Sequence, residues 1–151
     1  DATLKELESA AKEKKGYDVM ISTAAISDFT PKKTGGKMGS GQELTLELVP
    51  TPKLIDEVRI RFPKIFLVGF KAEYGIRRDE LKVKAKDYIK KKNLDMLVAN
   101  DVEKYAFGAE ETDVIVAVGD VLKEFGKRDK REVAEYVWCE IELHSKKVCP
   151  T

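Results

Sequence analysis

The chain has 151 residues, 42% of them hydrophobic, enough for one core and too few for two comfortable domains. Twenty-eight basic residues against twenty-seven acidic ones leave a net charge of +1, whereas a protein gripping nucleic acid through its phosphates carries a clear basic excess. No stretch approaches the roughly 20 apolar residues of a membrane helix, so neither nucleic acid nor membrane is an expected partner and a cytoplasmic location is expected.

Residues 1–15 are charged and helix-like, with Leu4, Leu7, Ala10 and Ala11 at helical spacing, no signal-peptide core, and Gly16 as a stop. The sequence does not begin with Met, and the expectation is a fragment or a processed piece. Residues 17–23 (YDVMIST) read as a short apolar strand. Residues 24–41, with Pro31, four glycines and Lys32, Lys33 and Lys37, read as a long loop, and 30–41 as a mobile flap. Residues 44–49 alternate, with Leu44, Leu46 and Leu48 on one face of a half-exposed strand.

Pro52 stands where a helix starts, Leu54, Ile55, Val58 and Phe62 form its stripe, and Pro63 ends it. Residues 65–70 (IFLVGF) have strand length and character. A helix over 79–92 carries Leu81, Ala85, Tyr88 and Ile89 on one face, and 95–99 (DMLVA) and 113–118 (DVIVAV) are further strands. Gly119-Asp120 turns the chain into an edge strand. A last helix over 130–143 is expected to bury Val133, Val137, Trp138 and Ile141. Unbroken apolar strands alternating with amphipathic helices define an α/β fold, three-layered and Rossmann-like. Its sheet should be mostly parallel, with helices on both faces and antiparallel elements at the edge.

Ligands of such sheets bind beyond the carboxyl ends of the strands. That points to residues 24–41, 71–78 and 100–111. No G-x-x-x-x-G-K-[ST] loop and no G-x-G-x-x-G turn is present, and the glycine-rich 35–41 reads equally as a surface loop or a phosphate cradle. The single histidine, His144, lies in the tail and reads as solvent-exposed, which removes a Ser or Cys triad. Cys139 and Cys149 lack metal-ligand spacing and read as two thiols in a reducing cytosol, with a disulfide as the alternative. Charged residues make up 36% of the chain, a composition that fits surface ion-pair networks of a heat-adapted protein.

The segments AAISDF, GKMGSG, ELTLEL, PTPKLI, LVGFKAE, NLDMLVANDV and KREVAEYVWCEI follow one another between residues 18 and 143. Their order resembles that of the phosphopantothenate–cysteine ligases (phosphopantothenoylcysteine synthetases), and PTPKLI and GKMGSG look like the archaeal branch. The resemblance implies a two-step ligation in coenzyme A biosynthesis. The carboxylate of 4′-phosphopantothenate attacks the α-phosphate of a nucleoside triphosphate, CTP before ATP, and pyrophosphate leaves. The acyl-nucleotide then reacts with the amine of cysteine. Mg2+ is expected to accompany the triphosphate, neutralising charge that gathers on the phosphates.

By the same resemblance Lys37 is the catalytic, nucleotide-binding lysine of the flap, with Lys32 and Lys33 as competing phosphate contacts. Asp28 recognises the base, since a carboxylate can accept from cytosine's exocyclic amine. Read alone, Asp28 is equally a turn or cap residue. Pro52, Lys53, Leu54 and Ile55 meet the nucleotide at a helix start. Phe70 packs on the base, a role that competes with plain core packing. Ala24 and Ala25 lie against the substrate's acyl group. Lys92, in the run Lys90-Lys91-Lys92, is a second phosphate-side lysine, and Tyr88 stands where many relatives carry another.

Family members begin with a strand, a GGT turn and an N-x-SSG segment, and nothing here matches them. The expectation is one nucleotide-binding ligase domain over 1–151 that lacks this front segment and ligates poorly alone. A homodimer with a shared active site, its contact near LTLEL, and a fused or associated phosphopantothenoylcysteine decarboxylase domain complete the expected partners. The alternatives are a nucleotide-binding regulatory module without ligase activity and a generic Rossmann oxidoreductase.

Overall fold

The apolar runs form one sheet. In the computed structural model, which describes residues 2–13, 16–33, 35, 36, 41, 43, 45–103, 105 and 108–145, the first helix α1 (Ala2–Lys12) leads into β1 (Val19–Ser22). Two short strands, β2 (Phe29–Pro31) and β3 (Leu48–Pro50), precede α2 (Leu54–Arg61), β4 (Phe66–Glu73), α3 (Arg78–Lys92) and β5 (Met96–Asp101). The two-residue β6 (Glu111–Thr112), the hairpin β7 (Val114–Val118) and β8 (Val121–Glu124), the two-residue β9 (Arg128–Asp129) and α4 (Lys130–His144) complete the described chain.

The main sheet has the order β1-β4-β5-β7-β8. It is parallel through β1, β4 and β5, with Val19 opposite Phe66 and Val68 opposite Met96, and becomes antiparallel at β7 and β8. The expected α/β architecture, with antiparallel strands at one edge, is present.

Alternation along the strands builds two cores. Leu67, Leu97, Ala99, Ile115 and Ala117 face α1, α2 and α3, where Leu7, Leu54, Val58, Leu81, Ala85 and Ile89 meet them. Phe66, Val68, Met96, Val98, Val114 and Val116 face α4, which contributes Val133, Val137 and Ile141. Each fully buried aliphatic side chain stabilises the fold by about 1.5–3 kcal/mol relative to exposure.

Local chemistry sets the ends of the elements. Asp79 and Glu80 in the first turn of α3, and Lys90, Lys91 and Lys92 in its last, complement the helix dipole. Asn93 closes α3 in the left-handed region at φ 48°, and its neighbour Leu94 donates to the Ile89 carbonyl at 3.0 Å. Asp129 caps α4 by accepting from the Arg131 amide at 2.7 Å. Asp95 accepts from Arg59 at 2.5 Å and from the Leu67 amide at 2.8 Å, locking the end of α2 to the starts of β4 and β5. Arg78 bonds the Asp113 carboxylate, Glu124 at 3.0 Å and the Phe125 carbonyl at 2.9 Å, and so ties α3 to the hairpin.

Four expectations need correction. The loop 24–41 contains β2, which pairs with β3 as a separate antiparallel arm. Of the alternating 44–49 segment, Leu48 and Val49 fall in β3, Leu44 lies outside the described residues, and Leu46 and Leu48 lie open to solvent on that arm. Helix α2 begins at Leu54 with Lys53 as its cap position, so Pro52 precedes the helix rather than sitting in its first turn. Trp138 is 48% exposed because Val133, Val137 and Ile141 occupy the inward stripe of α4, leaving Trp138 about 100° round the helix from Val137. Exposed Cys139 carries a free thiol and His144 is exposed, whereas Cys149 lies outside the described residues.

Candidate active site

Beyond the carboxyl ends of β1, β4 and β5 lies a cleft of about 830 Å3. The first turn of α2 and the last turns of α3 form one wall, and α4 forms the other. Ala24, Ala25, Asp28, Pro52, Lys53, Leu54, Ile55, Phe70 and Lys92 all line it, so the structure brings these nine residues singled out from the sequence to one place. Lys37, with 34 and 38–40 of the 30–41 flap, lies outside the described residues. Lys32 and Lys33 do not line the cleft, and the Lys32 ammonium is bound to the Glu47 carboxylate along the β2–β3 arm at 2.9 and 3.0 Å.

Hydrogen bonds join the segment after β1 to the leader of α2. The Thr51 amide donates to the Asp28 carbonyl at 2.9 Å, and its hydroxyl donates to the Ser27 carbonyl at 2.6 Å. Across the same junction the Lys53 ammonium bonds the Asp28 carboxylate. That hydrogen bond, then the charge of Lys53, and in smaller part the charge of Lys71, hold the Asp28 carboxyl below its ordinary value. Lys53 supplies the carbonyl that the Asp56 and Glu57 amides bond, at 3.0 and 3.2 Å. The amides of Leu54 and Ile55, at the first two positions of α2, belong to the unpaired set of a helix start, and both residues line the cleft.

Two further lysines of this wall are held by carboxylates that do not line the cleft. Lys92 bonds both Asp56 oxygens at 2.6 and 2.9 Å, and Lys71 pairs with Glu73 at 2.8 Å. The hydrogen bond from Lys71 is the main reason that the Glu73 carboxyl also sits below its ordinary range. Around the other wall the lining is apolar, from Val98 and Val114 on the sheet to Val133, Val137 and Trp138 on α4, with Lys130 at its end.

Each segment named by the strand-end rule contributes at its start, 24–28 from the first, Lys71 and Ala72 from the second and Asn100 from the third. Among the described residues of 73–78 and 101–111 none lines the cleft. Asp101 ties these loops to one another by accepting from the Gly75 and Glu103 amides, each at 3.0 Å. Sequence reasoning named Lys71 and Asn100 only as the first residues of their segments, and it missed Thr112, Lys130 and Trp138 as lining residues. For Lys71 a signal existed: a charge following IFLVGF at the carboxyl end of a strand is poor core and good site.

A mostly parallel α/β sheet with a lysine-bearing cleft at its strand ends and a helix start facing it defines a Rossmann-like domain. The chain belongs to the DNA/pantothenate metabolism flavoprotein C-terminal domain family, which it matches over residues 2–144. It is 47% identical over 140 residues to the coenzyme A biosynthesis bifunctional protein CoaBC of Thermococcus kodakarensis, an alignment covering 92% of this chain and 34% of that protein. The crystal structure of the DNA/pantothenate metabolism flavoprotein from Streptococcus pneumoniae is similar with a TM-score of 0.74 at 26% identity, covering 94% of this chain and 70% of that one. The C-terminal domain of a coenzyme A biosynthesis bifunctional protein CoaBC is similar with a TM-score of 0.66, also at 26% identity, covering 93% and 61%. The chain spans about a third of the length of the curated relatives it matches.

Proposed function

We propose that this chain carries the nucleotide-binding part of a phosphopantothenate–cysteine ligase of coenzyme A biosynthesis, acting in the cytoplasm. The observation that carries the reading is the convergence of the sequence-derived residues on one cleft at the strand ends. In this reading Asp28 accepts from the exocyclic amine of cytosine, and its ion pair with Lys53 keeps it ionised for that purpose. Phe70, an exposed aromatic in the cleft, packs on the base. The amides of Leu54 and Ile55 and the ammonium groups of Lys53 and Lys92 face the phosphates, and Lys37 keeps the catalytic role that the resemblance implies.

The carboxylate of 4′-phosphopantothenate, lying against Ala24 and Ala25, attacks the α-phosphorus of CTP. The bond to pyrophosphate breaks, and the new acyl–phosphate anhydride is then attacked by the amine of cysteine. Cytidine monophosphate leaves with the bonding electrons, and the amine loses its proton. The residues present neutralise the departing phosphates and do not themselves form covalent bonds. Among the described residues no group of three or more His, Cys, Asp and Glu could hold a metal ion. In this reading magnesium enters with the triphosphate substrate, held chiefly by phosphate oxygens and water.

Phe29, Leu46 and Leu48 expose apolar surface on the β2–β3 arm, which supports an arm-mediated homodimer. The bifunctional relatives support association with a decarboxylase domain. The reaction is tested by pyrophosphate release in a protein extended to the length of the relatives. Release that needs both CTP and 4′-phosphopantothenate, before cysteine is added, is expected. Nucleotide binding without such release would leave a regulatory module and sink the ligase reading.

A further inference from the structure

Lys71 follows Phe70 on β4 and, by strand alternation, shares the sheet face of Leu67 and Gly69 that is covered by α3. Its side chain is 28% exposed, an unusual setting for a lysine unless something uses its charge. The ammonium stands 4.9 Å from the centroid of the Tyr88 ring and 2.8 Å from Glu73. Both Lys71 and Tyr88 line the cleft. Tyr88 and Lys92 are one turn apart on the same face of α3, about 6 Å along the helix axis. The ring therefore holds the Lys71 ammonium beside the face of α3 that also carries Lys92, so the cleft has two cations on this wall for a ligand with more than one phosphate.

We infer that Lys71, positioned by the Tyr88 ring, is a second polyphosphate-binding residue of the cleft, a strand-borne ammonium set over a helix position that has no cation of its own. The inference rests on the nucleotide reading of the site and deepens it. Glu73 keeps its second partner, Lys84 at 3.0 Å, when Lys71 is removed, so Lys71→Ala leaves no stranded carboxylate. Tyr88 is a positioning residue, because its ring acts through the ammonium it faces.

The test is calorimetric titration of the full chain with MgCTP, CMP and inorganic tripolyphosphate, for the unaltered protein, Lys71→Ala, Lys92→Ala and the double variant Lys71→Ala/Tyr88→Lys. Thermal unfolding checks that each variant folds. Lys71→Ala is expected to weaken MgCTP and tripolyphosphate about tenfold and to leave CMP unchanged. The double variant, which moves the charge from strand to helix at the same place, should restore most of the loss. A Lys71→Ala protein that binds MgCTP normally while Lys92→Ala does not would overturn the assignment of Lys71 alone. Equal weakening of MgCTP and CMP would also overturn it, by making Lys71 structural. If the unaltered chain binds neither MgCTP nor tripolyphosphate, the nucleotide reading fails and the assignment falls with it.

Discussion

Lys92 separates a structural role from a binding role within one side chain. It is 15% exposed and bonds both oxygens of Asp56, which is 42% exposed in the first turn of α2. A pair so placed lies between a surface ion pair and a buried one, and its loss should lower stability by about 1 kcal/mol. Asp56 stays wet and near a helix N-terminus after Lys92→Ala, so no large penalty for a stranded charge is added. For a chain of this size that corresponds to a fall of about 2–4 °C in melting temperature. Loss of a charge-assisted contact to phosphate should cost about 1.5–3 kcal/mol in binding, a ten- to hundredfold weaker affinity for MgCTP.

The companion change Asp56→Asn breaks the same pair but leaves the ammonium free. It should lower the melting temperature about as much and bind MgCTP as tightly as the unaltered chain or more tightly. Differential scanning calorimetry and titration calorimetry on the two variants read both quantities. If Asp56→Asn weakens MgCTP as severely as Lys92→Ala, Lys92 acts only by holding α2 to α3 and the reasoning fails.

Other outcomes follow from the same geometry. Asp28→Asn should erase selectivity for CTP over UTP in competition titrations. Because Lys53 depresses the Asp28 pKa, that selectivity should persist as pH falls through the ordinary carboxylate range and disappear only below it. In Lys53→Ala the loss should move to higher pH. Phe70→Ala should weaken nucleotide binding by about 1–3 kcal/mol, with little change in melting temperature because the ring is already partly exposed. Asp95→Ala removes the acceptor shared by Arg59 and the Leu67 amide and should destabilise the fold by about 2–3 kcal/mol, read by chemical denaturation. Leu46→Lys/Leu48→Lys should shift sedimentation toward a monomer if the β2–β3 arm forms the dimer.

The main sheet was legible because its signal is local. Runs such as IFLVGF are apolar on both faces, and the stripes of α2 and α3 recur at helical spacing, so neither needs a distant partner to be recognised. The β2–β3 arm was partly hidden for the opposite reason. Phe29, Thr30 and Pro31 carry no periodicity, and their pairing with Pro50, Val49 and Leu48 is a long-range event. Trp138 was misread because a tryptophan beside Val137 looks like core until the direction of each side chain round α4 is followed. The site was legible at Asp28, Lys53, Phe70 and Lys92 through motif resemblance. Lys130 is one lysine in a lysine-rich chain, and nothing local marks it until α4 brings it to the cleft.

The most direct test of the central claim is a titration of the isotopically labelled 151-residue chain with MgCTP, followed by amide chemical shifts, with NADH as the control ligand. The account predicts saturable shifts at residues 24–28, 53–55, 70–72 and 88–92, few at the β7–β8 turn, and none of this pattern with NADH. Shifts confined to the turn around Gly119, or an equal response to NADH, would contradict it.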